Sequence, residues 1–589
     1  MTTNTVLNET TVRPYRWRWP ALFVILGMEI MDLLDALVTT VAAPTIRADL
    51  GGSASLIQWL GAGYTLAMAV GLLTGGRLGD IYGRKRMFLI GTAGFTAASL
   101  LCAVAQSPQM LISARVLQGL LGAMVLPQGL GMIKEMFPPK EMAAACGAFG
   151  PIMGLSAVGG PILAGYLVDA DLFGSGWRSI FAINIPIGVV TVAFAVKYLP
   201  STVPHRAPLD AVGAVLGAAG AALIVYPLVQ GRELGWPFWT YLMMAGSAVV
   251  FAAFGWHENR IVARGRQPLI EPSLFRKRAF SGGMLVGLAV FSAMIGFSLV
   301  FTLYQQVGLG WSPLKSALAS SPMAVGMVIG FIAAGVGLAE KYGRLLIHLG
   351  LGAMIAGIGV LMFTIWAAGT DVTPWELIPA LGLVGLGMGH AMAPMFDIIL
   401  AGVEPRETGS AGGTLTAVQQ LGGSLGIAIL GTVFFSAVGG SVVDRVNEVA
   451  PDLRSQLISA GLSTPDAIAA VEDLKTCGHD RASSEDVLAD PASCQALGGQ
   501  LAAVPPEVAA SFAAAGQEAG RKGFGDVIML ALVVEAGLAL AAFQLVYLLP
   551  RRARPPEEPQ ATPEGADAQA IEGGSAAASS GSPSNSLTV

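Results

Sequence analysis

Long apolar runs separated by short polar breaks dominate the chain. A helix crossing the hydrocarbon core of a bilayer needs about 20 mostly apolar residues. Fourteen segments meet that length: 20–43, 56–77, 87–105, 110–132, 142–168, 180–199, 209–230, 238–256, 280–303, 314–338, 345–368, 376–400, 410–436 and 525–549. Two stretches fall outside the pattern. Residues 437–524 form a polar, acid-rich connection predicted to be a loop with short helices, for example around Thr464–Leu474. Residues 550–589 are rich in Pro, Gly, Ala and Ser, bury too little to fold, and are predicted to be a disordered tail.

Composition agrees with the pattern. The chain of 589 residues is 53% hydrophobic and only 12% charged, against roughly 25% charged in soluble domains. The net charge of −5 argues against a nucleic-acid partner. The first 20 residues are polar and no small-residue cleavage site follows, so no cleaved signal peptide is expected. With the N-terminus placed inside, the short outer loops carry only Arg47, Arg178, Arg232 and Lys315, and the inner segments carry most of the remaining Lys and Arg. The positive-inside rule therefore predicts both termini in the cytoplasm and loop 437–524 outside. Cys102 and Cys146 sit in apolar helices. Cys477 and Cys494 lie in the outer loop, where oxidising conditions favour a disulfide.

An internal repeat narrows the class. GGRLGDIYGRKR, residues 75–86, follows span 2, and GVGLAEKYGR, residues 335–344, follows span 10. Tyr82-Gly83-Arg84 corresponds to Tyr342-Gly343-Arg344, and Asp80 to Glu340. The separation is eight spans rather than six, so spans 7 and 8 are extra helices between two repeated halves. Repeated halves with a central site are a transporter construction. No phosphate-binding GxxxxGK[ST] loop and no hydrolase motif in a suitable context is present, so the chain reads as neither an ATP-driven pump nor an enzyme.

GGRLGDIYGRKR resembles the loop 2–3 signature of the major facilitator superfamily. LLDALVTTVAAPTI at 33–46, ARVLQGLLGA at 114–123, GGPILAG at 159–165, WRSIFAINIPIG at 177–188 and GSAGGTLTAVQQLGGSLGIAILGTVF at 409–434 resemble the signatures of its 14-span drug:proton antiporter branch. The resemblance spans roughly residues 20–549. It implies an all-α membrane fold of two six-helix bundles, 20–199 and 280–549, joined by a linker at 200–279 that holds spans 7 and 8. Residues 1–19 are then a cytoplasmic lead and 437–524 an extracellular loop. The departures are Ala164 where a second Gly is common, Leu37 and Thr40 in span 1, and the absence of the acid that some members carry in span 13.

Glu29, Asp32 and Asp35 share one face of span 1 at three-residue spacing. An acid at the bilayer centre costs about 2.5–3.5 kcal/mol on insertion scales, so function or a structural ion pair must retain it. Asp35 lies roughly 22 Å from the inner end of its span, at a rise of about 1.5 Å per residue. Arg115 in span 4 lies at similar depth. The resemblance implies proton coupling for this acid and this Arg, with Asp32 as a further proton or substrate group. Asp32 has no assigned basic partner, so it is expected to be free for a cationic substrate. Arg115, Gln118, Gly119 and Gly122 fall on one face of span 4, which makes Gln118 a candidate cavity residue. His390, mid-span 12, is a second candidate or a satisfied core histidine.

Gly76, Asp80, Gly83, Arg84 and Arg86 form the expected gating loop, with Asp80 pairing across the seam between halves when the inside closes. The alternative for its basic residues is a positive-inside anchor. Gly159, Gly160, Pro161 and Gly165 in span 5 leave a kinked, smooth helix for close packing or for sealing the antiporter. Asp397 is expected at the inner interface, and Glu535, mid-span 14, at a water-facing position.

The sequence thus predicts a proton-coupled exporter of amphipathic compounds in the plasma membrane, a multidrug efflux permease conferring antibiotic resistance. It is predicted to need no cofactor or metal beyond the proton gradient and to partner with lipid, protons and a small amphipathic substrate. The oligomeric state stays open. A dedicated exporter of one metabolite or antibiotic, a proton symporter, and a non-transporting sensor that uses loop 437–524 are the alternatives.

Overall fold

The computed structural model describes residues 15–552 except 139–140, 143–144, 146–147, 202–208, 405–406, 484–490 and 503. The tail expected to be disordered falls almost wholly outside the described residues, as does Cys146. Among the described residues every regular element is helical.

The first half contains α1 (Arg18–Leu50), α2 (Ser55–Tyr82), α3 (Arg84–Ala103), α4 (Pro108–Met136), α5 (Phe149–Asp169) and α6 (Asn184–Tyr198). Two linker helices follow, α7 (Ala211–Gln230) and α8 (Phe238–Ala263). The second half contains α9 (Arg278–Leu303), α10 (Pro313–Ala333), α11 (Arg344–Ala368), α12 (Pro374–Leu400), α13 (Thr408–Ser459) and α16 (Pro506–Leu545). Two helices lie between α13 and α16: α14 (Thr464–Ser483) and α15 (Ala492–Leu501). Among the described residues twelve helical segments are long and apolar enough to cross a membrane. Helices α1 and α5 also have span length, and in α1 three acids interrupt the apolar run. The protein is a multi-pass membrane protein.

Within the first half α2 packs on α4, α3 on α4, and α1 on α5 and α6. In the second half α10 and α11 pack on α12, and α9 and α16 on α13. The halves meet through α2 against α13 and α5 against α10. Helix α7 rests on both α2 and α13, so it lies on that seam, and α8 packs mainly on α7.

The repeated tripeptide is a repeated structure. Tyr82 ends α2, Gly83 adopts φ 92°, and Arg84 starts α3. Tyr342 ends a short helix, Gly343 adopts φ 51°, and Arg344 starts α11. Only glycine enters this region without strain, so each copy reverses the chain between two spans.

Besides a mid-span bond from Gln420 Nε2 to Met68 Sδ at 2.8 Å, direct hydrogen bonds between the halves occur toward the end opposite Arg84. Gln306 Nε2 donates to Val41 O at 2.8 Å, Ser424 Oγ to Ala62 O at 3.2 Å, and Leu314 N to Asp169 Oδ2 at 3.2 Å. A Cβ on Gly165 would stand 2.6 Å from Leu314 Cα, so glycine lets α5 and α10 touch backbone to backbone there. Gly160 faces Leu34 and Leu37 of α1, Gly159 has open surroundings, and Pro161 sits inside an unbroken α5.

The region 437–524 is more ordered than the sequence reading expected: the helix around Thr464–Leu474 is present as α14, and the described residues on either side are helical as well. Helix α13 runs 52 residues and α16 runs 40, well past their predicted spans of 410–436 and 525–549. Leu453, Leu457, Val471 and Phe512 form a small core among α13, α14 and α16. Cys477 and Cys494 are joined by a disulfide, and Arg445 of α13 binds Asp526 of α16 through two hydrogen bonds, 2.7 and 2.6 Å. The segment is polar outside and apolar inside, so hydropathy alone missed its order.

Candidate functional site

Asp35 is the centre of a buried polar cluster. Helix α1 carries it mid-span, and α4 brings Arg115 to the same depth, where Arg115 Nη1 donates to Asp35 Oδ2. Asp35 is 2% exposed and Arg115 1%. Two further side chains serve the carboxylate. Gln118 Nε2 donates to Asp35 Oδ1 at 2.9 Å and Asn184 Nδ2 donates to the same oxygen at 2.7 Å. Gln118 also donates to Ser99 Oγ at 2.9 Å and accepts from Arg115 Nη1 at 2.7 Å. The guanidinium spends a third donor, Nε, on Leu60 O at 3.3 Å, and its plane lies 4.1 Å above the Tyr64 ring.

Four helices of the first half and the start of α6 thus converge on one ion pair. The cost of desolvating two charges is offset only where geometry is close and the remaining donors are satisfied. Here the carboxylate receives three donors, one of them charged, and hydrogen bonds to an ionised group are the strong ones.

Asp32 lies one turn away and accepts from the Tyr64 hydroxyl at 2.6 Å. The ring of Tyr64 supports Arg115, so Asp32 and Asp35 are linked through Tyr64 and Arg115. This corrects the expectation that Asp32 is free for a substrate: it is 5% exposed and its Oδ1 is engaged. Gln118, expected to line the cavity, is fully buried inside the cluster instead. Glu29 is half-buried, a turn further along α1. Tyr64, Ser99 and Asn184 were not singled out in the sequence. The available signal was a polar side chain inside an apolar span, and Asn184 stands within WRSIFAINIPIG.

The other candidates fall elsewhere. His390 Nδ1 bonds Leu386 O of its own helix at 2.8 Å, and its ring sits against Gly330 of α10. His390 is half-buried and lies in the second half, apart from the Asp35 cluster. Among the described residues Asp80 makes no pair across the seam. Its Oδ1 accepts from Arg84 Nη2 at 3.3 Å, and Arg84 Nε lies 3.5 Å from Glu135 of α4, so the loop is tied within its own half. Arg86 is exposed and Gly76 lies in ordinary contact with Pro127. Arg344, the repeat counterpart of Arg84, donates instead to Tyr547 O and Leu549 O and holds the end of the last helix. Asp397 is exposed near the end of α12. Glu535 is not water-facing: it is 1% exposed and neither carboxylate oxygen has a hydrogen-bond partner. Among the described residues no cluster of His, Cys, Asp and Glu has metal-binding geometry.

Repeated halves, a seam between them and a buried acid–base pair in one half define a secondary transporter. The sequence profile of the Major Facilitator Superfamily matches residues 24–427, and the chain belongs to that superfamily. It is 49% identical over 545 residues to the probable actinorhodin transporter of Streptomyces coelicolor, covering 92% of this chain and 94% of the relative. It is 31% identical over 437 residues to the tetracenomycin C resistance and export protein of Streptomyces glaucescens, covering 72% and 78%. Among solved structures, a bacterial homologue of the human lysosomal transporter Spinster, inward-facing and occupied, aligns with a TM-score of 0.54 at 16% identity, covering 89% of this chain and 96% of that one. Such low identity speaks for the fold alone, and it agrees with a major facilitator architecture of two bundles. The protein is a transporter and not an enzyme.

Proposed function

We propose that the protein exports an amphipathic drug-like compound from the cell and that inward proton flow drives it. The observation that carries the proton coupling is the Asp35–Arg115 pair, sealed at mid-span by Gln118 and Asn184. Protonating Asp35 removes the charge that holds Arg115, and the guanidinium keeps Gln118, Leu60 and the Tyr64 and Phe181 rings. A proton therefore changes the packing between α1 and α4, both of which belong to the half that must rock. Residues 20–199 move against 280–549, and Gly165 with α10 forms the contact that opens and closes at the seam. Asp32 serves as a second acid through Tyr64. The contacts across the seam suit a state closed at the end of the disulfide domain. With the termini inside, that end is the exterior and the molecule is inward-facing.

The names of the two relatives favour one refinement. Both are named for a single compound, actinorhodin or tetracenomycin C, which supports a dedicated antibiotic exporter in the plasma membrane over a broadly polyspecific one. The test is accumulation in inverted membrane vesicles under an imposed pH gradient, with ethidium as the amphipathic probe and each antibiotic in turn. Gradient-dependent uptake that Asp35→Asn abolishes supports export. Uptake that ignores the gradient, or that runs only in the opposite direction, overturns it.

A further inference from the structure

Between α8 and α9 the chain runs through a strap, residues 264–277, that is tied to both halves. Arg77 of α2 donates to Gln267 Oε1 at 2.7 Å and to Pro268 O at 2.9 Å. Ser273 Oγ donates at 2.6 Å to Glu407, just before α13, and Lys277 pairs with the same carboxylate. Residues 260–278 carry six basic side chains and one acid, Glu271. Arg260, Arg264, Arg266, Arg276 and Arg278 are exposed, and among the described residues none of them has an acidic partner. Other basic residues at this end of the molecule are spent within the protein. Arg18 pairs with Glu141, Arg84 with Asp80 and Glu135, and Lys85 donates to the carbonyls of Val196 and Leu199.

The strap closes one end of an apolar cavity of about 430 Å³. Val70 of α2, Val418 of α13 and Phe251 of α8 line its depth, and Asn259 and Phe275 line it at the strap. Phe251, Asn259 and Phe275 are also exposed, so the cavity opens on the outer face of α8, beside Trp256 at 62% exposure. From Phe251 to Asn259 the helix rises about 12 Å, close to the roughly 15 Å of hydrocarbon in one leaflet. The one carboxyl of the lining, Glu258, offers no free charge. Its Oε2 accepts from Leu269 N at 2.8 Å and Ile270 N at 3.2 Å, and it shares a hydrogen bond with Asp210. Arg260 follows Asn259 in the chain and Arg276 follows Phe275, so two exposed arginines flank the mouth. Arg260 lies 5.0 Å over the Trp256 ring, which keeps it on that face.

We propose that the cavity and its arginine rim bind an anionic diacyl phospholipid, with one acyl chain in the cavity and the phosphate on Arg260 and Arg276. A slot as long as one leaflet with a cationic end complements an apolar chain with an anionic head, and it repels a cationic compound. Guanidinium groups suit the phosphate because they donate to two of its oxygens at once. Trp256 stands at headgroup depth, where indole rings anchor a helix. The strap joins Arg77 to Glu407, so the bound headgroup touches the connection between the halves. That the leaflet is the cytoplasmic one rests on the reading that places the termini inside, but binding does not.

The probe is phosphatidylglycerol with an alkyl diazirine in one acyl chain, photolysed with the full-length protein in phosphatidylcholine liposomes and mapped by peptide mass spectrometry. Labelling is expected on 251–259 and 414–421. Unlabelled phosphatidylglycerol should displace it, and the same amount of extra phosphatidylcholine or of inorganic phosphate should not. Arg260→Gln combined with Arg276→Gln should lower the apparent affinity about 25-fold, at about fivefold per charge. Both side chains are exposed, so the double variant should fold, and its melting temperature without added lipid should match wild type. Phosphatidylglycerol added in detergent should raise the melting temperature of wild type and leave that of the double variant unchanged. Gly255→Phe adds a ring to the lining where a Cβ meets nothing within 4 Å, and it should reduce labelling with both arginines intact. Equal displacement by phosphatidylcholine makes the occupant bulk lipid and overturns the site. Displacement by inorganic phosphate alone assigns the arginines to a free anion and also overturns it. So does labelling or a melting shift that the double variant retains. None of these measurements needs transport, so loss of the exporter reading in vesicles leaves the site standing, and loss of the site leaves the exporter reading standing.

Discussion

Asp35 in the first half and Glu535 in the second are both mid-span acids with almost no exposure, yet their surroundings have nothing in common. Asp35 receives Arg115, Gln118 and Asn184 and sits beside an aromatic shelf. Glu535 receives no donor at either oxygen. An ionised carboxylate at Glu535 has nothing to offset its desolvation, whereas the neutral acid does not incur that cost. At Asp35 the charged form has been built for, and its partners move if the charge disappears. The difference teaches that burial alone does not mark a coupling acid. A coupling acid needs partners that respond to its proton.

The largest effect should come from breaking the built pair on its basic side. Arg115→Ala leaves Asp35 buried and unpaired, which costs about 3–5 kcal/mol. Thermal unfolding in detergent should show a marked drop in melting temperature, and export should be lost. An unchanged melting temperature would contradict the pair's structural share. Next comes Cys477→Ser, which releases the outer domain of the second half. A loop of this size is worth about 3 kcal/mol in the chain-entropy model. The domain should become sensitive to protease while gradient-driven export stays within about twofold, since nothing in it touches the Asp35 cluster; lost export would tie the domain to turnover. Asn184→Ala removes one donor from the carboxylate and should cut export by about tenfold without affecting expression. Export equal to wild type would remove Asn184 from the site. The smallest effect belongs to Glu535→Gln, for which transport rate and proton dependence should match wild type. A loss comparable to Asn184→Ala would erase the contrast between the halves.

Much of this was legible beforehand. The apolar runs located the spans, and the YGR repeat located the second half. Asp35 and Arg115 could be paired from depth alone, because rise per residue is fixed in a helix and both spans are long. What failed was rotation and partnership. Gln118 was on the correct face of α4, but that face turned out to be sealed by Ser99 and Asn184 from two other helices. Asp32 looked free because its partner is a tyrosine on α2 rather than a base. Asp80 has a close neighbour at Arg84, past the glycine break, and that local pairing beat the longer one across the seam. The helices beyond 437 were hidden by a hydropathy criterion tuned to lipid. The spacing of Ala450, Leu453 and Leu457 is the sign of an apolar stripe that burial there confirms.

The central claim is that a proton on Asp35 and the transported compound are exchanged. It is tested most directly by proton release from purified protein in weakly buffered detergent solution when substrate is added, read with a pH indicator beside equilibrium binding of the same compound. Wild-type protein should release protons in step with binding. Asp35→Asn should bind the compound and release none, and in liposomes it should fail to move it against a gradient. Undiminished proton release or uphill transport by Asp35→Asn would contradict the account.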